Sequence, residues 1–314
     1  MAEFLRYSIK EPWSPLTEYV TVTAKGVPLD SPVLPFIGLD GRTIDITSGL
    51  AYPLKAERAR RNPHVGLLFK ERDPSRTPAV MLISALATVR DADLQANTDR
   101  FLPEEAAAIP WYMEGLSWET ISQAVHYLVR IYVHCTPVRI LWWPDGNTDE
   151  SPVTWQAPAG QAVPPSDPAP AGKSLTSPWS PADWRARAED VVKKVERPHL
   201  MVVDEEGFPL PFVTKGVSLT PDGFDIDLPA FRPWPLRGPA SLSFQDYGNF
   251  VGTVSATEGG AHFVVERCVG DLPHGPAGGT NVFLLEGEPR EVLMTRLHHE
   301  LERRGQPMPV VHRY

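Results

Sequence analysis

Residues 26–69 read GVPLDSPVLPFIGLDGRTIDITSGLAYPLKAERARRNPHVGLLF, and residues 207–244 read GFPLPFVTKGVSLTPDGFDIDLPAFRPWPLRGPASLSF. Set side by side, the two stretches share their punctuation. Gly26, Pro28 and Leu29 lead to Asp40-Gly41 and then to Ile44-Asp45-Ile46, while Gly207, Pro209 and Leu210 lead to Asp222-Gly223 and then to Asp225-Ile226-Asp227. Residues 63–69 resemble 238–244, and 84–89 match 251–256 in character. Turn dipeptides between short alternating runs mark strands and hairpins, and self-similarity at a distance marks a repeated unit. The chain reads as two copies of one antiparallel β domain of five or six strands, which suits a barrel.

The copies differ in one place. From Gly41 to Phe69 is 28 residues, but from Gly223 to Phe244 only 21. The extra piece is the segment LKAERARRN at 54–62, whose spacing predicts a short helix ending at Pro63. Its counterpart, AFRPWPLRG at 230–238, keeps only Arg232 and Arg237, and its prolines prevent a helix. A ligand of the basic segment would therefore be lost from the second copy.

Around these two cores, 34 of the 314 residues are proline, about twice the usual share. Prolines crowd 151–181, a Pro/Ala-rich stretch read as a semi-extended linker. It divides the chain into a first domain at 1–150 and a second at 182–314, and Trp155 and Trp179 suggest that parts of it dock on a domain. Within the first domain, residues 91–127 are helical in character with breaks at Pro103 and Pro110, and 129–134 and 138–143 are closing strands. The second domain opens with a helix capped at Ser180-Pro181-Ala182-Asp183 and ends with one over 289–304 that stops at Gly305.

The net charge of −9 argues against nucleic-acid or anionic-membrane binding. Two distant cysteines exclude a disulfide framework or zinc knuckle, and no run approaches the roughly 20 apolar residues of a membrane span. These features lead to the expectation of a cytoplasmic protein acting on a small molecule. No metal site is expected: His298-His299 point to different sides of a helix, and His126, His134 and Cys135 suit the core or surface. Trp111, Trp118, Trp142 and Trp143 would line a groove or, more simply, pack the core.

Lys55, Arg58, Arg60 and Arg61 lie just after the hydroxyl pair Thr47-Ser48 at a strand end. Lys55 and Arg58 share a helix face by their spacing of three, and Arg61 continues it. Guanidinium and ammonium groups beside strand-end hydroxyls make a phosphate cradle, arginine binding through its fork and lysine as a point charge. A solvated basic helix face is the other reading of the same residues.

The run from Gly26 through Pro28, Pro32-Val33, Asp40-Gly41, Ile46-Thr47-Ser48, Lys55 and Arg60-Arg61-Asn62-Pro63 to Phe69 resembles the pyridoxamine 5'-phosphate oxidase-like, FMN-binding split β-barrel family. Residues 132–143 are similar to that family's closing strands. The resemblance covers about 18–145 well and 197–270 weakly. It implies two tandem split β-barrels, the second degenerate, and a homodimer or intrachain pseudo-dimer with flavin phosphate held in the barrel–barrel groove. By position, Thr47 and Ser48 would contact the phosphate or the ribityl chain and Lys55 would pair with the phosphate, with Arg58 and Arg60 as further candidates. The implied activity is that of a flavin-dependent oxidoreductase. Relatives that use a deazaflavin or bind haem supply the alternatives, a reductase or a non-catalytic binding protein. No residue stands out as an acid or base, as expected where the cofactor carries the chemistry.

Overall fold

Period-two alternation builds the first sheet in the computed structural model, which describes residues 17–70, 79–175, 183–232, 234–269 and 281–313. Strands β1 (Thr17–Val22), β2 (Pro28–Val33), β3 (Pro35–Ile37), β4 (Ile44–Gly49), β5 (His64–Lys70), β6 (Val80–Arg90) and β7 (Arg130–Trp143) pair in the order β2-β1-β5-β6-β7-β4-β3. A short β8 (Val153–Gln156) adds to β7. Strands β9 (His199–Val203), β10 (Pro209–Val213), β11 (Gly216–Leu219), β12 (Gly223–Asp227), β13 (Arg237–Ser243), β14 (Asn249–Thr257) and β15 (Gly260–Val269) pair in the order β10-β9-β13-β14-β15-β12-β11. The two orders are the same, strand for strand, so the sequence repeat is a structural duplication. The chain is mainly β, two tandem antiparallel split barrels with a few helices.

The exception lies where the repeats differ in length. Helix α1 (Leu54–Arg61) stands between β4 and β5, and among the described residues 228–236 hold no helix between β12 and β13. Ala56 and Ala59 of α1 are fully buried in the first barrel's core beside Ile44, Ile46 and Leu67. Small side chains let the helix seat closely across the end of the barrel.

Two local expectations need correction. Residues 129–134 and 138–143 fall in one strand, because Ser84 pairs with Arg139 and Ala85 with Pro137, leaving Val138 as a bulge. Pro137, next to that bulge, lies inside the strand. Helix α2 (Leu94–Ala108) runs through Pro103 without a break. Its neighbours Phe101 and Leu102 are buried, and their packing offsets the roughly 3 kcal/mol that an interior proline costs. Two short helices follow, α3 (Trp118–Gln123) and α4 (Val125–Leu128). Asp183 caps α5 (Trp184–Val191) by accepting from the Arg185 amide, while Ser180, Pro181 and Ala182 of the expected cap lie outside the described residues, as do Trp179 and Pro233.

The proline-rich stretch is docked along the first barrel. The Val89 amide donates to Ser166 Oγ at 3.0 Å, and Asp167 accepts from the amides of Asp91 and Ala92 at 2.8 and 2.9 Å. Trp155 packs against the core beneath. Counted with the second half by its place in the sequence, helix α6 (Gly287–Arg304) packs on the first barrel, adding Leu297 and Leu301 to the core that holds Ala56 and Ala59. Gly305 ends it in the left-handed region at φ 61°.

The barrels face each other within the chain. Ser241 Oγ donates to the Pro28 carbonyl at 2.7 Å and Ser243 Oγ to Asp30 at 2.8 Å. Leu68, Val80, Leu82, Leu141 and Trp143 of the first barrel share a core with Phe212, Phe224 and Trp234 of the second. Among the described residues no helix is long and apolar enough to cross a membrane.

Candidate functional site

Helix α1 divides its charges between two faces. On one, Glu57 pairs with Arg303 at 2.9 Å and Arg60 with Asp91 at 2.7 Å, while Arg304 bridges Asp91 and Glu300. Arg60 also donates to the Asp167 and Pro168 carbonyls. This face is a closed ion network that ties α1 to α6 and the proline-rich strap, and it absorbs Arg60. Arg60 is thus committed to holding the fold together, away from Lys55 and Arg58.

The other face carries Lys55 and Arg58. Arg58 Nε donates to Thr21 Oγ1 on β1 at 2.7 Å. Burial, with Arg61 adding to it, brings the Arg58 guanidinium down to about 10, against a partial offset from Tyr19. Burial and the positive charges of Arg130 and Arg58 pull the Lys55 ammonium down to about 7. No carboxylate pairs with Lys55 among the described residues, and no hydrogen bond holds it. Arg130, at the start of β7, lies between the rings of Phe101 and Tyr127 at 4.2 and 4.0 Å, and its buried Nε has no partner. The Tyr19 hydroxyl is likewise buried without a partner, and burial raises its pKa well above the phenol value.

Lys55 and Arg130 therefore offer unpaired donors where three cations meet, with Tyr19 beside Arg58 and the buried Glu105 carboxyl the acidic neighbour of Arg130. A buried group of like charges is costly unless an anion joins it. The residues fit a phosphate, which accepts several hydrogen bonds and reverses the local charge. The hydroxyl pair is split, because neighbours on a strand face opposite ways. Ser48, fully buried, donates to the Tyr52 carbonyl at 2.8 Å, and Thr47 lies opposite Tyr132.

Sequence reasoning missed Arg130 and Tyr19. Arg130 shows as a charge leading an apolar strand (VRIYVH), which is the one signal it gives. Tyr19 gives none.

The segment that replaces α1 in the second barrel packs at the seam between the barrels. Phe231 lies against Trp143 at 6.1 Å and Trp234 against Phe212 at 5.2 Å, closing on Leu82 and leaving a cavity of about 10 Å³. That is room for a single water at most. Among the described residues no cluster of three or more His, Cys, Asp or Glu side chains has a metal-binding arrangement.

No protein-family model matches the sequence, and no curated protein does. Solved structures match it over about half its length. One is a protein related to general stress protein 26, of the pyridoxinephosphate oxidase family, from Clostridium acetobutylicum (14% identity, 50% of this chain and 96% of the other, TM-score 0.34). Another is a pyridoxamine 5'-phosphate oxidase-related, FMN binding protein from Nostoc punctiforme (12%, 45% and 80%, 0.31). A third is an F420 reductase (15%, 43% and 94%, 0.31). The duplicated architecture rests on this chain's own strand order.

Proposed function

We propose that the first barrel binds the phosphate of a flavin cofactor, FMN, through Lys55, Arg58 and Arg130, and that the chain is a flavin-dependent oxidoreductase. The observation that carries this reading is Lys55: a cation drawn down to about 7 by burial and by two further cations, with no carboxylate beside it. Lysine supplies a point charge, the arginines supply planar forks, and the buried Tyr19 hydroxyl supplies a further donor. FMN, when bound, supplies the hydride chemistry, and the protein's part is to hold and orient it. Because residues 230–238 of the second barrel keep only Arg232 and Arg237 in place of the basic helix α1, one chain takes one cofactor.

Titration of the purified chain with FMN and with riboflavin, which lacks the phosphate, tests the reading. FMN is expected to bind at least about tenfold more tightly, the worth of one charge-assisted hydrogen bond. Lys55→Ala should remove that preference while leaving the melting temperature unlowered. Equal affinity for the two ligands would sink the phosphate assignment. A deazaflavin carrying a phosphate meets the same cations, so the titration includes F420; preference for it over FMN would turn the proposal to a deazaflavin-dependent reductase.

A further inference from the structure

Strands β4, β7 and β6 lie side by side, and their register sets Asp45 opposite His134 and His134 opposite Thr88. The residues next to these, Ile44, Val133, Cys135, Ala87 and Val89, belong to the barrel core. The row Asp45–His134–Thr88 therefore crosses the outer face of the sheet. That face would be open to water but for the proline-rich strap. Thr88 Oγ1 donates to the Pro164 carbonyl at 2.9 Å, and Arg90 donates to Asp167 at 2.8 Å, so the strap is fastened over the row. Between floor and strap lies a cavity of about 600 Å³, within the range of small-molecule sites.

The floor is built and held. Asp45 accepts from Thr43 Oγ1 and from Arg100, each at 2.7 Å, and its side chain is only 1% exposed. Arg100 is fixed in turn by Glu104 at 2.8 Å and by the Tyr132 ring at 4.2 Å. The His134 ring stands 3.6 Å from Asp45, and burial, with Arg100 and Arg90 nearby, outweighs that carboxylate and lowers its pKa. A neutral imidazole offers one donor and one acceptor. The Thr136 hydroxyl and the Gln161 amide line the same cavity with no side-chain partner among the described residues.

The mouth differs from the floor. Arg42 is exposed, and its guanidinium has no partner among the described residues. Leu39 beside it is 86% exposed, an apolar side chain standing in water at the rim. Asp40 lies next to both, and its negative charge disfavours a dianion such as phosphate at this mouth.

We propose that this strap-roofed cavity is a second ligand site, distinct from the Lys55 cluster, and that it takes small organic monoacids. The carboxylate meets Arg42 at the mouth, the apolar body lies against Leu39 and Pro164, and a hydroxyl at the far end bonds to His134. The probe series is 4-hydroxybenzoate, benzoate and 4-hydroxybenzyl alcohol, titrated calorimetrically into the full chain. 4-Hydroxybenzoate is expected to bind most tightly, with benzoate weaker for want of the far hydroxyl and the alcohol weaker for want of the charge. Arg42→Ala should weaken 4-hydroxybenzoate about tenfold, the loss of one charge-assisted contact. Ala162→Trp, on the exposed strap, fills the mouth without touching the core and should abolish binding, while FMN titrations of both variants stay as in the parent. Absence of saturable binding by all three probes overturns the proposal. So does 4-hydroxybenzoate binding that Ala162→Trp or Arg42→Ala leaves unchanged.

Discussion

Lys55 is a cation held where cations are disfavoured, and this has a sign that can be measured. In an unfolded chain a lysine titrates near 10.4; folded, Lys55 titrates at about 7. Below pH 7 both states are protonated and the folded state bears the whole repulsion. Between pH 7 and about 10 the unfolded state binds more protons, so the free energy of unfolding from this group climbs with pH. Urea denaturation across that range should show the rise in the parent and a flatter profile, higher at pH 6, in Lys55→Met. An anion beside Lys55 raises its pKa, so FMN binding near pH 7 should take up protons, read as a dependence of the binding heat on buffer ionisation enthalpy. The spacing of three in the sequence was enough to pair Lys55 with Arg58. Arg60, which the resemblance alone sets beside them, is turned by the helical period onto the face that meets Asp91. Arg130 was out of reach because only strand register brings it to Gly49 and the end of β4.

At the scale of elements, the proline-rich strap acts as part of the first barrel. Asp167 gathers two backbone amides and the Arg90 guanidinium, which hold its carboxyl below the usual range despite partial burial. Asp167→Ala should cost about 2 kcal/mol, the range for hydrogen bonds to a charged group, measured by chemical denaturation. Limited proteolysis should then cut within 157–175 where the parent resists. Composition made the strap's extended character plain, since proline and alanine cannot build a core of their own. Its resting place was not readable, because it docks largely on backbone groups such as the Val89 and Asp91 amides, which every sequence has. The strand order was better foreshadowed: Asp40-Gly41 and Asp222-Gly223 recur at matching places, and the structure puts a hairpin at each. Pro103 misled for the opposite reason, a local rule overridden by the burial of Phe101 and Leu102.

Across the whole molecule, the barrels meet through a buried polar cluster. His199 Nδ1 lies 3.3 Å from Glu18, and Asp30 accepts from Ser243. Burial and the neighbouring Glu18 carboxyl raise Asp30 well above its usual value. Its contribution to stability is therefore complete below the unfolded carboxyl range and fades as pH rises toward the folded value. Asp30→Asn should flatten that decline in a pH series of denaturation midpoints, a trend opposite to that of Lys55, so the two variants separate the two groups. Packing is close at the same seam: a Cβ on Gly66 would come within 2.2 Å of the Pro209 carbonyl oxygen. Gly66→Ala should lower the melting temperature by forcing the barrels apart. Helix α6 adds a consequence of timing. Leu297 and Leu301, which follow every strand of both barrels in the sequence, complete a core that Tyr19 of β1 begins. During synthesis the second barrel has all its strands before the first has its full core, so the earlier-made domain is the one that finishes late.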